Sequence, residues 1–255
     1  SGLYGEWLLV TAIPACLSLS DLGFAGAANR EMFEEQVEVI VKAFTQERFS
    51  HQGKHYQLPP EVPYRGYQLK DITLVPKPIN NPVEIWQPIA SGRTLEYIAR
   101  KGIKGMVALT GELLVNQLFS SYRDIAAEEG RELALGQDMA LGIGYYIAGS
   151  QQEAINTVRP YHDERYKWFA PFGFVRYTDS QGRAWGTPGA PSRAPTIEEG
   201  VEQKVWYCGE PDGFIQFLRD IEERYPGLED VILQWPEGMP WLEYKEQLSR
   251  FAKEV

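Results

Sequence analysis

Val83-Glu-Ile-Trp-Gln-Pro-Ile-Ala90 is followed by Ser91-Gly-Arg-Thr94, then by Leu95 to Lys101, Gly102, and the apolar run Gly105 to Leu109. The order is apolar run, small polar turn, amphipathic stretch, glycine, apolar run. That pattern predicts strand, helix from about Thr94 to Lys101, and strand, with Gly102 stopping the helix in the usual C-terminal position. The same alternation continues outward from this point. A helix is predicted over about Glu112 to Glu129, with Leu114, Leu118, Tyr122 and Ile125 inward, then a strand from Met139 to Ala148 and a helix from near Ser150. Later, Pro211-Asp212 opens a helix to Arg224, Val231 to Trp235 reads as a strand, and the last helix carries Leu248, Phe251 and Val255 on one side. Strands alternating with helices imply a parallel sheet with helical crossovers.

Before this block, Asn29 is placed to cap a helix to about Glu47, with Phe33, Val37, Ile40, Val41 and Phe44 on one face. Phe49 to Tyr56, polar and aromatic around Gly53, reads as a small hairpin in which His51 and His55 could be cross-strand neighbours. Prolines from Pro59 to Pro78 form a link. Phe172 to Thr196 is rich in glycine and proline and has little regular pattern, so it is expected to be a mobile loop, lid or binding loop.

The chain has 255 residues, with 25 Lys and Arg against 35 Asp and Glu, a formal net charge of −10. That balance argues against nucleic acid, which needs a basic face. The longest charge-free run, Trp7 to Ser20, contains Pro14 and falls short of the roughly 20 apolar residues of a membrane span. No basic stretch precedes it, which argues against a signal peptide. Cys16 and Cys208 form no CxxC spacing, and a reducing cytoplasm is the simplest location. His51, His55 and His162 are too scattered to suggest a metal site.

Four blocks together resemble the bacterial luciferase-like flavin monooxygenases. They are Arg30-Glu-Met-Phe-Glu-Glu-Gln-Val-Glu-Val-Ile-Val-Lys-Ala-Phe-Thr45 with Phe49 to Tyr56, and Pro76-Lys-Pro78 with Pro82-Val-Glu-Ile-Trp86. The third is Ala90-Ser91 with the helix ending Ala99-Arg-Lys-Gly102. The fourth is Gly209-Glu-Pro-Asp212 with Gly238-Met-Pro240 and Phe251-Ala-Lys-Glu-Val255. The resemblance covers about residues 29 to 255 and implies a (β/α)8 TIM barrel of the luciferase-like type. Only four or five strands are countable, so the barrel is expected to be incomplete, with the first three or four β/α units missing. Residues 1 to 255 are expected to form one such domain.

The resemblance further implies that Ala90, Ser91, Gly92, Arg93 and Thr94 bind the phosphate of FMN or, alternatively, of a deazaflavin coenzyme. The physical case is a helix N-terminus at the end of a strand, with free N–H groups, hydroxyls and no side chain at Gly92. The plainer reading is that Ser91 only caps its own helix. Gln234, Trp235 and Glu237, at the exit of a late strand, are candidates for a substrate pocket, with Gln234 able to donate to a flavin edge. The plainer readings are a core Trp235 and a solvated Glu237. His162, in the aromatic run Tyr161 to Phe172, is a further pocket candidate, while Tyr166 and Phe169 read as packing. No residue is assigned to the chemical step, no metal is expected, and no P-loop, GxSxG or GxGxxG fingerprint is present.

The expected activity is therefore that of a flavin-dependent monooxygenase using reduced FMN and O2 on a small organic substrate. The alternatives are deazaflavin-dependent hydride transfer, and a flavin-binding chain or inactive fragment without turnover. A flavin reductase and a second copy of the chain are the expected partners. An incomplete barrel leaves sheet edges open to other chains. The chain alone is thus expected to self-associate. Sedimentation across a concentration series checks this, and a clean monomer with one sharp melt contradicts it.

Overall fold

A computed structural model of the chain describes residues 9–10, 26–61, 63–64, 66–89 and 91–255. It divides into two compact units, Ser1–Trp86 and Gln87–Val255. In the first, β1 (Leu9–Val10) runs parallel to the first residues of the strand Ile85–Pro88, with Leu9 beside Ile85 and Val10 beside Trp86. Helix α1 (Gly26–Thr45) starts before the cap expected at Asn29. Val37 is buried on it, and Phe33, Ile40 and Phe44 are half-buried. Val41 is turned off that face and is 40% exposed.

The hairpin forms from β2 (His51–Gln52) and β3 (Gln57–Leu58), and a second, shorter one from β4 (Pro63–Tyr64) and β5 (Tyr67–Gln68). His51 lies opposite Leu58, so His51 and His55 are not cross-strand neighbours. What holds the first turn is Glu35 of α1. Its carboxylate accepts from the His55 and Tyr56 N–H groups at 2.9 and 2.8 Å and pairs with His51 Nε2 at 3.0 Å. Burial pushes the Glu35 pKa up, but the bonds from His51, Tyr56 and His55 outweigh it and bring it to about 2. Gly53 makes this approach possible, because a Cβ there would sit 2.0 Å from Glu35 Oε1.

The strand β6 (Ile85–Pro88) leads into the second unit, which continues with α2 (Gly92–Lys101), β7 (Lys104–Ala108), α3 (Glu112–Glu128) and β8 (Met139–Ile147). Then follow α4 (Gln151–Phe169), α5 (Ile197–Glu202), β9 (Trp206–Gly209), α6 (Pro211–Arg224), β10 (Asp230–Gln234) and α7 (Trp241–Glu254). The alternation expected from Val83 onward is present, and every pairing described in this sheet is parallel. Both α5 and β9 escaped sequence reading, being only six and four residues long. On α3 the buried stripe is Val115, Phe119, Tyr122 and Ala126, one position round from the expected one. Tyr122 fixes that rotation by donating its hydroxyl to the Ile103 carbonyl at 2.9 Å.

β8 organises the unit. Its residues from Met139 to Gly142 pair with β7, those from Ala140 to Gly144 pair with β10, and those from Gly144 to Ile147 pair with β9. Its side chains alternate between two faces. Tyr145 stacks on Phe214 of α6 and meets Phe251 of α7, so that parity faces the crossover helices. The other parity carries Ala140, Gly142 and Gly144. A Cβ on Gly142 would lie 2.7 Å from Ala108 Cβ and 3.1 Å from Gln234 Nε2, while one on Gly144 would lie 2.3 Å from the Trp206 ring. Ala108, Gly142, Gly144, Gln234 and Trp206 therefore share one face, opposite the Tyr145–Phe214 stack, and Tyr146 of the same parity donates its hydroxyl to Glu243 of α7 at 3.0 Å.

Past the end of β10, α7 takes over the edge of β8. Buried Gln247 accepts from Ile147 N–H at 2.7 Å and donates to Ile147 C=O at 3.1 Å, as a neighbouring strand would. Gly144→Ala is expected to cost about 1–3 kcal/mol, because the methyl meets a clamped indole rather than a flexible tip. Gly92→Ala, with nothing within 4 Å of the added carbon, should change stability by less than about 0.5 kcal/mol. Urea denaturation midpoints of the two variants compare these costs.

Candidate functional site

The turn between β6 and α2 is built as its residue types require. Ser91 is extended, at φ −155° and ψ 164°, and its Oγ accepts from Thr94 N–H at 3.3 Å and lies 3.1 Å from Thr94 Oγ1. Leu95 N–H donates to the Ser91 carbonyl at 3.0 Å. Ser91 is thus the N-cap. This does not exhaust the turn, because a helix begins with four N–H groups that lack intrahelical partners. Among the described residues nothing lies within 4 Å of a Cβ added at Gly92, no acidic side chain occupies the first turn, and Arg100 and Lys101 sit at the far end of the helix. Ser91, Gly92 and Arg93 are exposed while Thr94 is buried. Ala90 lies outside the described residues. An anionic group such as a coenzyme phosphate fits this arrangement, drawn by oriented amides and the positive end of the helix dipole.

Gln234 stands at the same, C-terminal end of the parallel sheet, two strands beyond β7, which neighbours the Ser91 turn through the Ile89 N–H to Met106 C=O bond at 3.0 Å. With strands about 4.8 Å apart, the turn and Gln234 are separated by roughly 14 Å across the sheet. Between them lies the face of Ala108, Gly142 and Gly144, where the Trp206 ring fills the space over Gly144 and the Ala108 methyl and the Gln234 amide fill that beside Gly142. Gln234 and Trp206 flank Gly144 on its two edges, because both are its register partners.

Trp206 is a site residue that sequence reading did not single out. A buried indole between Gly144 and Gly200 roofs the end of β8, and a Cβ at Gly200 would lie 2.9 Å from its Cδ1. Leu109 is another. Its φ of 46° is in the left-handed region, uncommon outside glycine, and its side chain joins the buried cluster of Tyr166, Tyr177, Trp185 and Trp206. Strand alternation alone would send Leu109 toward the helices with Val107. The backbone reversal redirects it, at a cost of order 1–3 kcal/mol that the burial offsets. The Trp206-Tyr-Cys-Gly209 run carried the signal for the first residue, but nothing local marked the second.

Three of the sequence candidates are placed differently from one another. Trp235 follows β10 with its ring stacked on Tyr244 of α7 at 5.3 Å and 40% exposed, so it is neither core nor on the Gln234 face. Glu237 is exposed, but it forms an ion pair with Arg165 of α4. His162 is 1% exposed, inside the stripe Ala154, Val158, His162 and Tyr166 that packs α4 on β9. Its ring lies 4.7 Å from Tyr166 and 6.0 Å from Trp206, and Nδ1 pairs with Asp163 at 3.1 Å. Burial drives its pKa below the ordinary value, against the opposing pull of Asp163. Cys208 is buried as well, which pushes its thiol up to about 12 and leaves it no thiolate at neutral pH. Of residues 172–196, Tyr177 and Trp185 are buried and anchor the segment, and Thr178 is held by Gln203 through both its N–H and C=O.

A parallel α/β sheet with a capped helix N-terminus and a small-residue face at its C-terminal end is the arrangement of the α/β class in which barrel enzymes place their ligands. The profile of the luciferase-like monooxygenases matches residues 22–226, and the chain belongs to that family. No curated protein sequence matches it. Among solved structures, it is similar to the monooxygenase RslO1 from Streptomyces bottropensis, at 18% identity and a TM-score of 0.70 over 96% of this chain and 67% of that one. It is also similar to the oxygenating constituent of 3,6-diketocamphane monooxygenase from the CAM plasmid of Pseudomonas putida, a structure in complex with FMN. There the identity is 20% and the TM-score 0.62, over 89% of this chain and 62% of that one. An F420-dependent secondary alcohol dehydrogenase in complex with an F420–acetone adduct matches at 12% identity and 0.57, over 91% and 64%. These likenesses concern the fold, and the chain spans about two thirds of each neighbour's length. Among the described residues no helix is long and apolar enough to cross a membrane.

The buried His162 generates a pH prediction. The unfolded chain takes up a proton near pH 6.5, whereas the folded one resists it, so stability falls as the pH drops below about 6.5. His162→Gln should flatten this loss. Denaturation midpoints at pH 7.0 and 5.5 measure the slope, and equal slopes for both proteins would show that His162 does not contribute.

Proposed function

We propose that this chain is the coenzyme-phosphate-binding part of a flavin-dependent monooxygenase that uses reduced FMN and O2 on a small organic substrate. The observation that carries the reading is the α2 N-terminus, open beside Gly92, set at the C-terminal end of the sheet within a luciferase-like monooxygenase. Ser91, Gly92 and Arg93 would hold the phosphate through main-chain N–H groups and the Ser91 hydroxyl, with Thr94 supporting Ser91. The ring would lie toward the C-terminal end of the sheet, on the side of the Gln234 amide and the Trp206 indole. Bound reduced flavin supplies the electrons for oxygen activation. What this chain would supply is a grip on the phosphate, a hydrogen-bonding amide and apolar walls that keep water away.

The dehydrogenase neighbour bound to an F420 adduct favours a second reading, hydride transfer with a deazaflavin coenzyme anchored at the same turn. A flavin reductase as electron donor, a homodimer and a cytoplasmic location complete the proposal; the two widely separated cysteines support the last.

Gly92→Asp separates phosphate binding from simple capping. The added carboxylate enters open space and suits a helix N-terminus, so thermal stability should hold or rise. The same charge repels a phosphate, and FMN affinity should fall at least about tenfold. Fluorescence titration with FMN and with the deazaflavin coenzyme reads affinity, and substrate-dependent oxygen uptake reads turnover. Unchanged affinity in Gly92→Asp would refute the phosphate site.

A further inference from the structure

Helix α4 crosses the C-terminal end of β8, and its two sides are fastened by different forces. One side presents Ala154, Ile155, Val158, His162 and Tyr166, all buried in the cluster with Trp206 and Cys208 of β9. An ion pair from Arg159 to Glu198 ties that same side to α5. The other side presents Tyr161 and Arg165, four residues apart and therefore stacked on one helix face. Both meet the segment that leaves β10. Arg165 pairs with Glu237, and a Cβ at Gly238 would lie 3.6 Å from Tyr161 Cδ1. Gly238 has a φ of 90°, so this close turn suits glycine.

We propose that Arg165 is a positioning residue that latches α4 to the exit of β10, so that α4, packed over Trp206, opens on the β10 side and pivots on the β9 side. The latch goes beyond the flavin reading in its mechanics but rests on that reading for what passes through the opening. Buried aromatic packing is lost only on sub-global unfolding, whereas an ion pair in contact with water breaks and reforms readily. The Glu237 side chain is 55% exposed and that of Arg165 18%, so the pair is accessible on its outer side. Arg165 is preorganised for it, since its guanidinium lies 4.9 Å from the centre of the Phe169 ring. Glu237 thus acts on α4 rather than on a substrate.

The test is amide exchange on the full chain, with Glu237→Ala, Arg165→Glu and the exchanged pair Arg165→Glu with Glu237→Arg. An exposed ion pair implies a two- to fivefold effect. Exchange in residues 158–169 and 235–240 should accelerate by about that factor in each single variant and return toward the original rate in the exchanged pair. Residues 197–209 should not change. One molar salt should produce the same acceleration in the unmodified chain. Stopped-flow FMN binding should show association and dissociation both faster by a similar factor in the single variants. Unchanged exchange, acceleration spread equally to 197–209, or no recovery in the exchanged pair would overturn the latch. If the exchange cycle holds while no protein binds FMN, the latch stands and the flavin reading falls. If FMN binds and Gly92→Asp weakens it while exchange is unaltered, the latch alone falls.

Discussion

A nine-residue strand that must serve three neighbours is the constraint from which the second unit follows. β8 gives one edge first to β7 and then to β9, and the other to β10 and then to the Gln247 amide. Strands and substitutes can change partners along one length only if nothing on the shared face obstructs the handover. Gly142 and Gly144 mark that point: Ala108, Gln234 and Trp206 converge where a Cβ would stand. With Trp206 and Gln234 filling the space the glycines leave, this small-residue floor lies at the C-terminal end of a parallel sheet, the end at which barrel enzymes bind their ligands.

The segment between β8 and β9 is held above that floor by aromatic burial. Tyr166, Tyr177, Trp185 and Trp206 are each nearly solvent-free, and burying such rings is worth a few kcal/mol apiece by area. Against that sum, the left-handed backbone at Leu109 and the neutral buried His162 are affordable costs, each tied to turning a side chain into this cluster. Surface ion pairs contribute little to stability by comparison, which suits the Arg165–Glu237 pair to a role in motion.

Helix α2 shows how one residue serves two purposes. Ser91 caps the helix through Thr94 N–H, as its type and place dictate. Capping uses the Thr94 N–H, while a helix start has further N–H groups without intrahelical partners. The capping role and the proposed phosphate site therefore draw on different donors of the same turn.

The order of strands and helices was legible from Val83 onward because apolar periodicity and glycine or serine punctuation are local properties. The α2 cap, the Gly102 stop and the hairpin at Gly53 were readable for the same reason. What a residue meets across the sheet is not local. Nothing in Glu237 announces Arg165, 72 positions away. Nothing in Gln247 announces Ile147, and nothing in Trp235 announces the Tyr244 ring on which it stacks. His162 stood in an aromatic run as a pocket candidate, and the tertiary structure buries it against Trp206 and Tyr166. Sequence alone determined most of the elements, though not the short α5 and β9, together with their parallel sense and the α2 cap, since these depend on local periodicity and capping. The tertiary structure decided what packs over Gly142 and Gly144 and how α4 is fastened, since those depend on contacts between residues far apart in the chain.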